Sequence, residues 1–155
     1  MTALAVVFLY LAAILPTGRY GLVAAASLFG VAAVIETGLS GGVFVYLGAS
    51  LLGFLLVPDK LDLMLFVLFF GYYPVLKSLA ERMENRVLSW GVKLAVMNAA
   101  LTVIRVFFAS LIFDYAAMAG STALVYLFVN IVFVIFDIGV SKVIAYYMYR
   151  IKNIK

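Results

Sequence analysis

Six apolar stretches, each ended by a short cluster of glycine, proline or charged residues, divide the sequence. They cover Thr2–Leu15, Tyr20–Ile35, Val43–Val57, about Leu61 to Leu79, Trp90–Phe113 and about Ala123 to Tyr149. A helix needs about 20 apolar residues to cross a bilayer. The last three stretches meet that length, and the first three are short for full spans. An alternative keeps four true spans and folds two of the first three into a re-entrant pair.

Composition supports a lipid environment over a water-soluble core. Of the 155 residues, 68% are apolar and only 12% charged, against about half and a quarter in soluble domains. A globule of this size could not bury that excess, because its surface must still meet water. The expectation is an all-α polytopic membrane protein. One domain, residues 1–155, would form a compact bundle of six transmembrane helices with short loops. The opening "MTALAVVFLYLAAILP" has no basic n-region, so it is expected to be a first span and not a cleaved signal.

Basic residues then set orientation, since cytoplasmic loops are enriched in Lys and Arg. Lys77, Arg82, Arg86 and Lys93 flank the fourth loop, and Arg150, Lys152 and Lys155 follow the last stretch. The loops on the other side carry only Arg19 and Lys60. Both termini are therefore expected in the cytoplasm of a multi-pass plasma-membrane protein.

The residue inventory is poor for catalysis. The chain has no cysteine and no histidine, which removes thiol nucleophiles, histidine bases, disulfides and the usual zinc sites. It shows no serine elbow and no phosphate-binding glycine loop. No enzyme activity, cofactor, metal or nucleic-acid partner is expected. The Gly-rich "ETGLSGG" is expected to be a tight turn.

Polar groups inside the apolar runs are the candidates for binding, because buried polar groups in membranes are costly and face an interior or a cavity. Asn98 and Arg105 are seven apart on the fifth helix, as are Asn130 and Asp137 on the sixth, so each pair shares one helix face. Arg105 and Asp137 are expected about 9 Å apart along the bilayer normal at 1.5 Å per residue, close enough for a polar ligand or water to bridge them. Glu36, ending the second stretch, and Lys142, nearer the inner border, are border residues, and Lys142 is expected to snorkel. Trp90, Tyr146 and Tyr147 fit interfacial anchors. In "GYYPVLKSLAERMENR", Pro74 removes the hydrogen bond to the carbonyl of Phe70 and kinks the helix. Tyr72 and Tyr73 stand at that kink as candidates for stacking or hydrogen bonding. Lys77 is expected to snorkel. Small residues four apart, Gly21 with Ala25 and Ala26 with Gly30, mark a face for close helix packing, within the chain or against a partner.

"ASLFGVAAVIETGLSGGVFVYLGASLLGFLLVP" resembles a region of the substrate-binding S components of energy-coupling factor transporters. The resemblance rests on Gly38, Gly41 and Gly42 in the turn, Gly48 and Gly53 in the following helix, and Pro58 after it. It covers about a third of the chain and departs from the family in the first helix, where "ALAVVFLYLAA" lacks the Ala-x-x-x-Ala docking spacing. It implies a membrane subunit that binds a vitamin-like small molecule near the outer face. A transmembrane coupling subunit and two cytoplasmic ATPases would supply the energy. With the first helix lacking the docking pattern, the face around Gly21, Ala25, Ala26 and Gly30 would meet the coupling subunit. The binding residues would be Tyr72, Tyr73, Asn98, Arg105, Asn130 and Asp137, beneath a first outer loop "PTGRY". Two alternatives remain open: a membrane scaffold of the rod-shape-determining kind, and a small secondary transporter using Asp137 as its titrating group.

Overall fold

The computed structural model describes residues 1–15, 17–112 and 122–150, with the side chains of 107–112 and 122 excepted. Pro16, Phe113, Lys152 and Lys155 lie outside the described residues.

Every regular element among the described residues is helical. They are α1 (Thr2–Ile14), α2 (Arg19–Thr37), α3 (Leu39–Leu56), α4 (Lys60–Leu65), a π turn (Phe66–Phe70), α5 (Tyr73–Ala80), α6 (Arg86–Ile112) and α7 (Thr122–Arg150). α4, the π turn and α5 together make one apolar segment, Lys60–Ala80. With α2, α3, α6 and α7 it gives five helices long and apolar enough to cross a membrane. α1, at 13 residues, is about 20 Å long, short of the roughly 30 Å hydrocarbon core. Bulky apolar side chains cover the outside: Phe44 is 74% exposed, Leu51 70% and Leu55 76% on α3 alone. Such a surface suits lipid tails and not water. The protein is an all-α membrane bundle.

The chain divides into two compact units, Met1–Ala100 and Leu101–Lys155. In the first, α1, α2 and α3 pack on small side chains. Ala5, Leu9 and Ala12 form the buried stripe of α1, Ala26 lies inside α2 and Ala49 inside α3. Gly48 lies beside Thr2, and Gly53 beside Leu9 and Leu63. Contacts that advance together along both helices mean α1 and α3 run in the same direction, with α2 returning between them. Phe8 of α1 meets Phe29 of α2 edge to face at 5.1 Å.

The expected seven-residue turn "ETGLSGG" shrinks to a single residue. α2 runs through Thr37 and α3 starts at Leu39, four residues before the expected Val43. Only Gly38 is non-helical between them, at φ 81° and ψ −169°, a region essentially restricted to glycine. The reversal forces the two helices together. A Cβ on Gly41 would collide with the Thr37 side chain, and one on Gly42 with Val34.

The fourth membrane segment is broken, and the break begins earlier than Pro74. The Gly71 N–H bonds the carbonyl of Phe66, five residues back, at 2.6 Å. This widens the helix into a π turn, the arrangement that π-bulges adopt inside α-helices. The chain then bends at Gly71–Tyr72 and restarts as α5 with Pro74 in its first turn, where a missing N–H costs nothing. Asn85 caps α6 by accepting from the Val87 N–H at 2.9 Å, so α6 begins at Arg86 and not at Trp90.

In the second unit, the Thr102 and Tyr126 hydroxyls are hydrogen-bonded at 2.9 Å. This contact fixes the register between the end of α6 and the start of α7.

Candidate functional site

Three polar features sit within the first unit. The first joins the start of α2 to the start of α4. Arg19 Nε donates to both oxygens of Asp62, at 3.0 and 3.2 Å. Its Nη2 reaches Asp62 at 2.9 Å and also pairs with Asp59. Asp62 is fully buried, whereas the Arg19 side chain keeps a third of its surface. Asp59 also caps α4 by accepting from the Leu61 N–H at 2.8 Å. Next to it, Lys60 donates to the carbonyls of Phe54 and Val57, at 2.6 and 2.8 Å. A cation on the last carbonyls of α3 suits the negative end of its dipole.

The second feature lies at the other end of the Lys60–Ala80 segment. Lys77 and Lys93 both donate to Glu81 Oε1, at 2.7 and 3.0 Å. The turn after Ala80 reverses the chain, so α6 brings Lys93 back beside α5. Lys77 therefore does not snorkel: it is 2% exposed and held in an ion pair with the half-exposed Glu81. Lys93 is as deeply buried and lies 5.3 Å above the Trp90 ring.

Two carboxylates outside the membrane segments, Asp59 and Glu81, are held acidic. Burial pushes Asp59 up, but the Leu61 N–H and the Arg19 guanidinium outweigh it and hold Asp59 below its ordinary value. Burial likewise pushes Glu81 up, and Lys77 and Lys93 more than offset it. A carboxyl group with a depressed folded pKa contributes stability above its unfolded pKa and loses it as pH falls through the folded value. The unfolding midpoint in detergent is thus expected to be flat near neutral pH and to fall below about pH 4. A midpoint that does not fall on acidification would contradict both ion clusters.

The third feature is the break itself. Because the Gly71 N–H goes to Phe66, the Val67 carbonyl loses its α-helical donor. The Tyr46 hydroxyl of α3 supplies a replacement at 3.1 Å, as lipid-buried backbone requires. Around this bond Tyr46 meets Phe66 at 6.5 Å and Tyr72 edge to face at 6.4 Å. Gly71 makes the cluster possible, since a Cβ there would come within 2.7 Å of the Tyr46 ring and 2.8 Å of Phe66.

Of the six candidate binding residues, Tyr72 and Tyr73 turn inward at this break: Tyr72 is half-buried and Tyr73 is 1% exposed. Asn98 and Asn130 are half-buried, and each spends an amide hydrogen on its own helix, on Leu94 O at 2.8 Å and Tyr126 O at 2.7 Å. Arg105 is exposed and Asp137 buried. The Thr102–Tyr126 bond separates these two more than the sequence estimate. Consecutive spans cross in opposite directions, so Arg105 lies three residues to one side of that bond and Asp137 eleven residues to the other. That is about 21 Å of helix rise between their backbones, against the roughly 9 Å expected. On the docking face, Ala26 is fully buried, and Gly30 packs under Pro74, with its Cβ position 3.2 Å from the ring. Only Gly21, exposed, and Ala25, half-buried, keep surface for a partner. Glu36 is exposed.

Sequence reasoning missed Tyr46 and Asp62, and read Lys93 only as a loop charge. Their partners lie 21, 43 and 12 residues away, beyond any helical spacing.

Neither family models, curated proteins nor solved structures match this chain.

Proposed function

We propose that the chain is the substrate-binding membrane subunit of an S-component-like uptake system, taking a vitamin-like micronutrient and working with a separate coupling subunit and cytoplasmic ATPases. The observation that carries this reading is the broken fourth segment. Tyr72 and Tyr73 turn inward at a π turn and helix restart inside an apolar bundle. Interrupted membrane helices commonly form small-molecule sites, and such sites are mostly apolar with a few placed polar groups. Arg19 ties the first loop to α4, which suits a cover on the outer side if both termini are cytoplasmic. The remaining surface at Gly21 and Ala25 is the face for the coupling subunit.

The test is mass spectrometry of small molecules that co-purify with the full chain from cells grown in vitamin-rich medium. One compound is expected at near-stoichiometric level in the parent. Tyr72→Ala or Tyr73→Ala is expected to lower it about tenfold or more, a change of about 1.4 kcal/mol. A parent that retains no compound, or variants that retain it fully, would refute the assignment. Asp137, 3% exposed in the 29-residue α7, favours a second reading, a small proton-coupled transporter. Proton-gradient-driven uptake into liposomes without ATPases, abolished by Asp137→Asn, would select that reading.

A further inference from the structure

We propose that the Lys60–Ala80 segment is a two-state element, in which the π turn rewinds to α-helix and turns α5 when the Tyr46 hydroxyl releases Val67. The two windings differ by the transfer of one hydrogen bond at their junction. Gly71 N–H now bonds Phe66 O at 2.6 Å, and in an α-helix it would bond Val67 O. The Tyr46 hydroxyl stabilises the π form selectively, because only there does Val67 O lack its α-helical donor. A group that binds one of two conformations better sets their balance.

The surroundings permit the turn. α5 rests on glycine: Pro74 lies over Gly30, and Val75 over Gly42. A surface without side chains offers no ridges to interlock with a rotating helix. The near end of the segment is pinned, since Arg19 grips the buried Asp62 on α4. At the far end, the link to α6 runs through Glu81, whose side chain is 47% exposed and can exchange its partner for water. Losing the extra π residue would rotate α5 by on the order of one residue's turn, roughly 100°, carrying Tyr72 and Tyr73 with it. The switch belongs to the fold and stands whether or not the chain binds a micronutrient.

The chain has no cysteine, so Pro58→Cys and Leu79→Cys, both at exposed positions, give two unique spin-label sites. Electron–electron double resonance on the full-length labelled chain in lipid nanodiscs reads the distance between them. Tyr46→Phe removes only the hydroxyl and is expected to raise the population of a second distance severalfold. Ser50→Ala removes a neighbouring hydroxyl that bonds Tyr46 O at 2.7 Å and is expected to leave the distribution as in the parent. An unchanged distribution in Tyr46→Phe would overturn the proposal. So would a Ser50→Ala change as large as that of Tyr46→Phe, because the effect would then report general loosening of α3.

Discussion

Arg19→Leu is expected to lower stability in detergent by about 2–3 kcal/mol. Removing one partner of a fully buried ion pair costs about 3–5 kcal/mol, because the other charge is left uncompensated. Here Asp62 is fully buried, but Arg19 keeps a third of its side-chain surface, so water already screens part of the attraction and the lower figure applies. The second half of the expectation concerns Asp62→Leu. Arg19 would retain Asp59 and access to water, so that variant should lose less. Arg19→Leu combined with Asp62→Leu should recover much of the loss, since no buried charge is stranded. Chemical-denaturation midpoints of the three variants against the parent measure this cycle. An Arg19→Leu midpoint within about 0.5 kcal/mol of the parent, the range of ordinary surface substitutions, would show that the latch does not hold α2 to α4.

The same latch shows where sequence reading stops. The apolar runs were legible because lipid demands them, and the six runs and the helical segments agree to within a few residues at most ends. Pro74 announced a break in the fourth segment because proline carries no N–H. The π turn before it was not legible: it depends on which carbonyl Gly71 chooses, and that choice is supported by a tyrosine on another helix. Arg19 and Lys60 read as loop charges, and nothing local marked Asp62 as buried, since its partner stands 43 residues away. Lys77 read as a snorkelling residue from its place at an apolar border, but the chain reversal after Ala80 returns α6 alongside it. Asn98, Arg105, Asn130 and Asp137 were legible as polar groups in apolar helices. The relative depth of Arg105 and Asp137 was not, because the contact of Thr102 with Tyr126 that aligns the end of α6 with α7 joins residues 24 apart and has no local signal.

Glycine provides the second large effect, through two substitutions of identical chemistry and opposite expected sign. Gly42→Ala places a methyl group where the Val34 side chain already lies and within 3.0 Å of Val75 Cγ2. Neither obstacle is the end of a long flexible chain. α2 and α3 cannot move apart to relieve the clash, because Gly38 alone joins them only four residues earlier. Overpacking a close helix contact costs about 1–3 kcal/mol, and the fixed hairpin puts Gly42→Ala toward the upper end. Gly139 lies within α7, and nothing stands within 4 Å of its Cβ position. Gly139→Ala therefore meets no steric cost and removes the flexibility of glycine from the unfolded chain. That gain is roughly 0.5–1 kcal/mol in a helix interior. Unfolding midpoints of the two variants in one detergent separate packing from propensity. If both shift the midpoint in the same direction, the close approach of α2 and α3 at Gly42 is not what holds the hairpin. If Gly42→Ala falls and Gly139→Ala rises, Gly42 acts through helix contact and not through turn flexibility.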